Sequence, residues 1–213
     1  MATNPPLLGR LLRATLSEFV VGTRSTALTP GMGFGAMVQA RLTGHAATEG
    51  LVLYGLIADI RIPEDQLVRQ LSLAATNPRE VLADQHENRI VPVEIAVRSV
   101  GYRTPQGEIV YLLPPRPPLS LAEFYLAPAA DVAAFVQAHP QPGYLRALVQ
   151  AEGVPVGDLV ATHLRQVHQL LPAERRDAWL HNAIRYLMQL LRDDYEHLAQ
   201  VLESLRFGGL PGL

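Results

Sequence analysis

The sequence predicts an α+β chain. A small N-terminal β-barrel of five to six strands, with a helical insertion, precedes a C-terminal helical region with a long final helix. Three observations lead there. Apolar residues alternate or run together in short, β-branched stretches as far as residue 126. Beyond residue 127 they recur at helical spacing. Between the two lies "YLLPPRPPLSLAEFYLA", residues 111–127, in which Pro114, Pro115, Pro117 and Pro118 deny four backbone donors to any sheet. The boundaries that follow are a barrel over 1–126, an insertion over 63–89 and a helical region over 127–213.

Each strand has its own signal. "LLRATLSEFVVGTRS" is β-rich and lacks a helical period. "GMGFGAMVQARL" opens on Gly31, Gly33 and Gly35, a spacing that suits a bent or closely approached strand. "GLVLYGLIADIRI" is an unbroken apolar run, as in a strand covered on both faces. In "RIVPVEIAVRSVGYR", Val91, Val93, Ile95 and Val97 face one way, and Pro92, Glu94, Ala96 and Arg98 the other. Thr104-Pro105-Gln106-Gly107 is a turn, so strands at 91–102 and 107–113 form a hairpin. Residues 119–126 alternate and return to the barrel as its last strand. The expected barrel core is Val52, Tyr54, Leu56, Val93, Ile95 and Val97. Pro63 with two acids, and Asn77 before Pro78, mark helix starts inside the insertion. Mixed strands of this kind close most simply into a barrel, which also hides their edges.

The helical region reads as "PAADVAAFVQAH", a short "GYLRALVQAEG", a helix over 155–171 and a final helix from near Pro172 to Phe207. Leu180, Ile184, Leu187, Leu191, Tyr195, Leu198, Leu202 and Leu205 trace one stripe along it. Leu187, Leu191, Leu198 and Leu202 are the residues this stripe offers for helix contacts, with a partner or within the chain. The proline stretch reads as a stiff connector or as a ligand for an aromatic-lined groove. Its flanking leucines look too apolar for the second role.

Composition narrows the chemistry. The chain has 213 residues, 48% of them hydrophobic and 18% charged, which is enough to build a core. A net charge of -2 gives no global attraction to nucleic acid. There is no cysteine, so disulfides and thiolate chemistry are excluded. There is no lysine either, because the 18 basic residues are all arginine. That removes Schiff-base and P-loop lysines and reflects either G+C-rich coding or arginine's stabilising head group. The N-terminus has no signal-peptide pattern, and no window is apolar enough to span a membrane. A cytoplasmic protein is expected.

Candidate site residues are few. His163 and His168 are five apart and share no helix face, and the other histidines read mostly as surface residues. No metal site or cofactor motif is found, and the GxGxG at 31–35 lacks the dinucleotide spacing. Asp193, Asp194, Glu196 and His197 cluster in the last helix and are the candidates for a metal-dependent hydrolase or nuclease. More often such residues form a solvated helix face with i, i+4 partners such as Arg192 and Glu196. Arg10, Arg13 and Arg41 sit on the first strands and are the candidates for nucleic-acid contact.

The segments "LLRATLSEFVVGTRS", "GAMVQARL", "GLVLYGLIADIRI" and "PVEIAVRSVGY" together resemble the HAS-barrel. That is the barrel that opens HerA-type hexameric DNA translocases, similar to the one that begins the α and β subunits of F-type ATP synthase. Tyr54-Gly55-Leu56-Ile57-Ala58-Asp59-Ile60 carries the most specific part. The resemblance covers residues 9 to about 126, just over half of the chain. No Walker motif follows, so the ATPase core is missing. The resemblance therefore implies a module for ring assembly and docking, and carries over no catalytic residue. It makes the expected function that of a non-enzymatic accessory protein. The expected partner is an ATPase ring or a second copy of the chain.

Overall fold

The computed structural model describes residues 4–44, 48–63 and 92–210. The expected insertion helices beyond Pro63, with Asn77 and Pro78, lie outside these residues, as do Val91, His45 and His86. Seven strands are described: β1 (Leu7–Ala14), β2 (Glu18–Arg24), β3 (Met37–Arg41), β4 (Val52–Arg61), β5 (Pro92–Arg103), β6 (Ile109–Val110) and β7 (Glu123–Leu126). Six of them close an antiparallel barrel in the order β1-β2-β5-β4-β3-β7 and back to β1, while β6 hangs on β5 outside the ring. Five helices follow among the described residues: α1 (Ala129–Val136), α2 (Leu145–Val149), α3 (Val156–Leu170), α4 (Ala173–Leu190) and α5 (Tyr195–Phe207).

Turn chemistry sets the hairpins. The Thr15 hydroxyl accepts from the Glu18 N–H at 3.0 Å, and the Thr15 N–H donates to the Glu18 carbonyl at 2.8 Å, joining β1 to β2. The Gly107 N–H donates to the Thr104 carbonyl at 2.9 Å in the expected turn after β5. Two strands are shorter than the sequence suggests. The glycines at 31, 33 and 35 form the turn before β3 rather than its first residues. The strand expected over 107–113 ends at Val110, because the Tyr111 hydroxyl is drawn to the Phe135 carbonyl of α1.

The barrel interior holds Leu8, Leu11, Phe19, Val21, Val38, Leu53, Ile57, Val93, Ile95, Val97 and Phe124, with Phe19 and Phe124 rings 5.5 Å apart. Here one expectation needs correction. Val93, Ile95 and Val97 point inward, but Val52, Tyr54 and Leu56 point outward and pack under the helices. The cause is period-2 alternation along β4. Residues Val52 to Ala58 are all buried because both faces of this strand are covered. The second core joins these outward residues to Phe135, Tyr144, Leu145, Leu159, Leu164, Trp179, Leu187 and Leu205. Strands end at Leu126 and helices begin at Ala129, yet the two regions share this core.

α3 is fastened to the barrel by polar contacts as well. His163 is 1% exposed, against the surface reading given to most histidines. Its Nδ1 lies 3.1 Å from the Gly35 carbonyl and its Nε2 3.0 Å from the Tyr144 hydroxyl. Burial pushes its pKa down to about 4, so the ring is neutral at pH 7. It then donates from Nδ1 to the carbonyl and accepts the tyrosine proton at Nε2. Gly35 has φ +79°, and a Cβ there would lie 3.0 Å from Thr162 Cγ2, so glycine is required for α3 to come this close. His168 is also buried and meets Asp177 of α4 at 2.7 Å.

The single long final helix is two helices. α4 ends at Leu190 and α5 starts at Tyr195. Asp194 is the N-cap of α5, accepting the His197 N–H at 3.1 Å. The break takes Tyr195 off the stripe and leaves it 82% exposed.

Candidate functional site

A cleft of about 600 Å³ lies on the outer wall of the barrel beside the start of α1. Strand register builds it. Arg41 on β3 stands opposite Val52 on β4, and Val52 stands opposite Arg103 on β5. Gln39 stands opposite Tyr54 on one side and Tyr125 on the other. Residues opposite one another share a face, so two guanidiniums and an amide share the outer wall with Val52 and Tyr54. Glu123, Leu121 and Asp131 complete the rim.

Most of these polar groups are engaged with one another. Arg103 meets Asp131 at 3.2 Å, half-buried, which ties β5 to α1. Glu123 holds Arg10 at 3.0 Å through one oxygen and the Tyr125 hydroxyl through the other. The tyrosine and the arginine keep the Glu123 carboxyl below the usual carboxylate range. Three of the groups named here remain unengaged among the described residues, one of them the buried Tyr54 hydroxyl. Arg41 is exposed and has no ion pair or hydrogen bond, and the buried Oε1 of Gln39 has no protein partner. At the rim, Leu121 is the one non-glycine residue of positive φ among the described residues, at +64°. This conformation costs a leucine on the order of 1–2 kcal/mol. Leu121 is also 66% exposed, so no apolar burial of its side chain offsets that cost.

A second cleft, about 510 Å³, lies between β5, α2 and residues 111–113. Leu112, Leu113 and Arg146 line it, together with Ser99, whose buried hydroxyl has no protein partner.

The residues expected from sequence fall as follows. Arg13 pairs with Glu94 at 2.9 Å and Arg10 with Glu123, so of the three arginines only Arg41 faces a cleft unpaired. Asp193 pairs with Arg192 at 3.1 Å, Asp194 caps α5, and His197 Nδ1 lies 2.6 Å from Asp194 Oδ2. Glu196 is exposed in the first turn of α5. Among the described residues no three histidines or acids converge on a metal site. Leu187 and Leu191 are buried, and Leu198 and Leu202 pack half-buried against the same core, so the stripe is occupied by the chain itself. Among the described residues no helix is long and apolar enough to cross a membrane.

Arg103, Gln39, Asp131 and Leu121 were not singled out by sequence. The signal for Gln39 and Arg103 is the register of β3, β4 and β5, which only pairing reveals, while Asp131 is placed by α1 and Leu121 by its backbone angle. Compared with known proteins, the chain matches no family model and no curated protein.

Proposed function

We propose that this chain is a non-enzymatic assembly protein, an adaptor that docks on a HerA-type DNA-translocating ATPase. One observation carries the reading: the segment between β6 and β7 holds four leucines in water. Leu112, Leu113, Leu119 and Leu121 are 57%, 49%, 61% and 66% exposed, although their flanking prolines Pro114 and Pro118 are buried. The sequence argument that such leucines would be covered therefore fails. Four prolines stiffen the segment, so a partner that covers the leucines loses little conformational entropy. Leu112 and Leu113 are adjacent in sequence and line one cleft, and apolar exposure of this kind marks protein contact sites. Arg116 stands between the leucines with no ion pair among the described residues, ready for a carboxylate on the partner. The segment bends at Pro115 and Arg116, so it does not present the straight rod that a proline-reading groove takes.

The choice of an ATPase ring as the partner is supported by the resemblance of residues 9–126 to ring-assembly barrels and by the closed antiparallel barrel itself. The paired Arg10 and Arg13 count against a nucleic-acid face. The test mixes the purified chain with a HerA-type ATPase and measures mass by light scattering after gel filtration. A complex is expected, and the exposed double variant Leu113→Asp, Leu119→Asp abolishes it while retaining the circular dichroism of the wild type. Separate elution of the two proteins overturns the proposal. So does a dimer of the chain alone that the same variant dissociates.

A further inference from the structure

We infer that the cleft over β3, β4 and β5 is a binding site for a carboxylate that adjoins an amide N–H, the chemistry of a polypeptide carboxy terminus or an N-acyl amino acid. The cleft shares Leu121 with the leucine segment, but its assay needs only the purified chain, so its failure and the failure of the assembly reading are distinguishable.

Charge selects the ligand's sign and size. Glu123 is paired with Arg10 and Asp131 with Arg103, so Arg41 leaves the cleft with one positive charge. That charge is on Arg41, which keeps all five donors free among the described residues. A planar guanidinium takes a carboxylate through two parallel hydrogen bonds. A phosphate dianion would meet Glu123 and Asp131 at the same rim with only one spare charge to balance it, so a monoanion fits better.

The second group narrows the class. Gln39 lies two residues before Arg41 on the same face of β3, about 7 Å away along the strand. Its buried Oε1 is an acceptor with no protein donor, and leaving such a group unmet is costly. A ligand that brings an N–H close to its carboxylate meets both demands at once. Val52 and the exposed Leu121 supply apolar contact for the side chain between them. Leu121 is held at φ +64° at this rim, and strain of this kind collects where a ligand is clamped.

The experiment titrates the purified chain with acetyl-Gly-Ala-Leu carrying a free carboxylate, with its carboxamide, and with N-acetyl-leucine, followed by calorimetry and NMR. The free acid is expected to bind with a Kd of about 1 mM or tighter, and the carboxamide at least about tenfold more weakly. Arg41→Gln, at an exposed position that leaves the fold intact, weakens the free acid by the same factor. Gln39→Leu weakens it about threefold or more. Arg13→Gln, outside the cleft, leaves it unchanged. Leu121→Gly keeps or raises the melting midpoint while weakening the free acid. N-acetyl-leucine binding as tightly as the tripeptide assigns the site to a small acyl amino acid, and weaker binding assigns it to a polypeptide end. Equal affinity for acid and carboxamide, no saturable binding, or an unchanged Arg41→Gln overturns the inference.

Discussion

The barrel has two kinds of wall. Where β4 runs, both faces are apolar, and the outward residues Val52, Tyr54 and Leu56 lie under the helices. Where β1, β2 and the first half of β5 run, the outward face carries paired charges beside the exposed Leu7 and Leu12. Arg13 pairs with Glu94 at 2.9 Å and Arg98 with Glu18 at 3.1 Å. β5 belongs to both walls: Glu94 stands on the bare part, Arg98 at the boundary where it also donates to the Glu152 carbonyl, and Val100 under the helices. The same strand geometry thus meets two environments, and the sequence of each strand follows its outer neighbour rather than the barrel interior. Arg10, Arg13 and Arg98 balance acids, which leaves them little capacity to hold a phosphate backbone.

The largest expected effect measures this contrast directly. Leu56→Ala on the covered wall removes a fully buried side chain from the shared core and costs about 2–5 kcal/mol. Arg13→Ala on the bare wall breaks an exposed ion pair and costs less than about 1 kcal/mol. Urea unfolding reports both, and Trp179, the single tryptophan, reports the helical side alone. Its fluorescence is expected to follow the same transition as far-UV circular dichroism in both variants. Equal costs, or two separate transitions, would break the picture of one shared core.

A second effect comes from the buried imidazole that links the GxGxG turn to α3. Its folded pKa, about 4, lies below the ordinary 6.5. The unfolded chain therefore binds the proton first, and stability is complete above pH 6.5 and falls as pH drops toward 4. At about 1.4 kcal/mol per pH unit the whole loss is about 3 kcal/mol, of which about 2 kcal/mol has gone by pH 5. His163→Phe does not titrate. Wild type should be the more stable at pH 7, and its advantage should shrink by that amount at pH 5. A constant gap would mean that the ring is already protonated, or solvated, in the fold.

How much of this could be read from residues alone differs between the two walls. The unbroken run at 52–58 correctly announced a strand covered twice, and the alternation of Val93, Ile95 and Val97 announced the barrel interior. What alternation cannot give is which face meets which neighbour, so Val52, Tyr54 and Leu56 were assigned to the wrong core. The candidate cleft was legible only in Arg41. Gln39 and Arg103 join it through cross-strand register, and Leu121 through a backbone angle that a leucine rarely adopts. The end of α4 was legible and misread. Asp193 and Asp194 interrupt an apolar stripe, and an aspartate just before a helical run is a cap signal. Within one continuous helix they read as a solvated face instead, with a catalytic role as the alternative.

The smallest effect tests that last point and lies farthest from either wall. His197 holds a raised pKa because its ring hydrogen-bonds to Asp194, and Asp194 holds a lowered one through the same bond. The pair contributes fully when the acid is ionised and the ring protonated, above 3.8 and below 6.5. Its contribution is lost as pH rises through the raised histidine value, and again as pH falls through the lowered aspartate value. Asp194→Asn separates cap from charge, because asparagine caps a helix as well as aspartate does. The variant is expected to keep its α-helical circular dichroism while the NMR titration of His197 moves back toward 6.5. Adding magnesium should leave the wild-type titration where it was, since the carboxylate is engaged within its own helix turn. A magnesium-dependent fall in the His197 pKa, with DNA hydrolysis that Asp194→Asn abolishes, would instead make the helix break a metal site and return the acids to the catalytic role their sequence suggested.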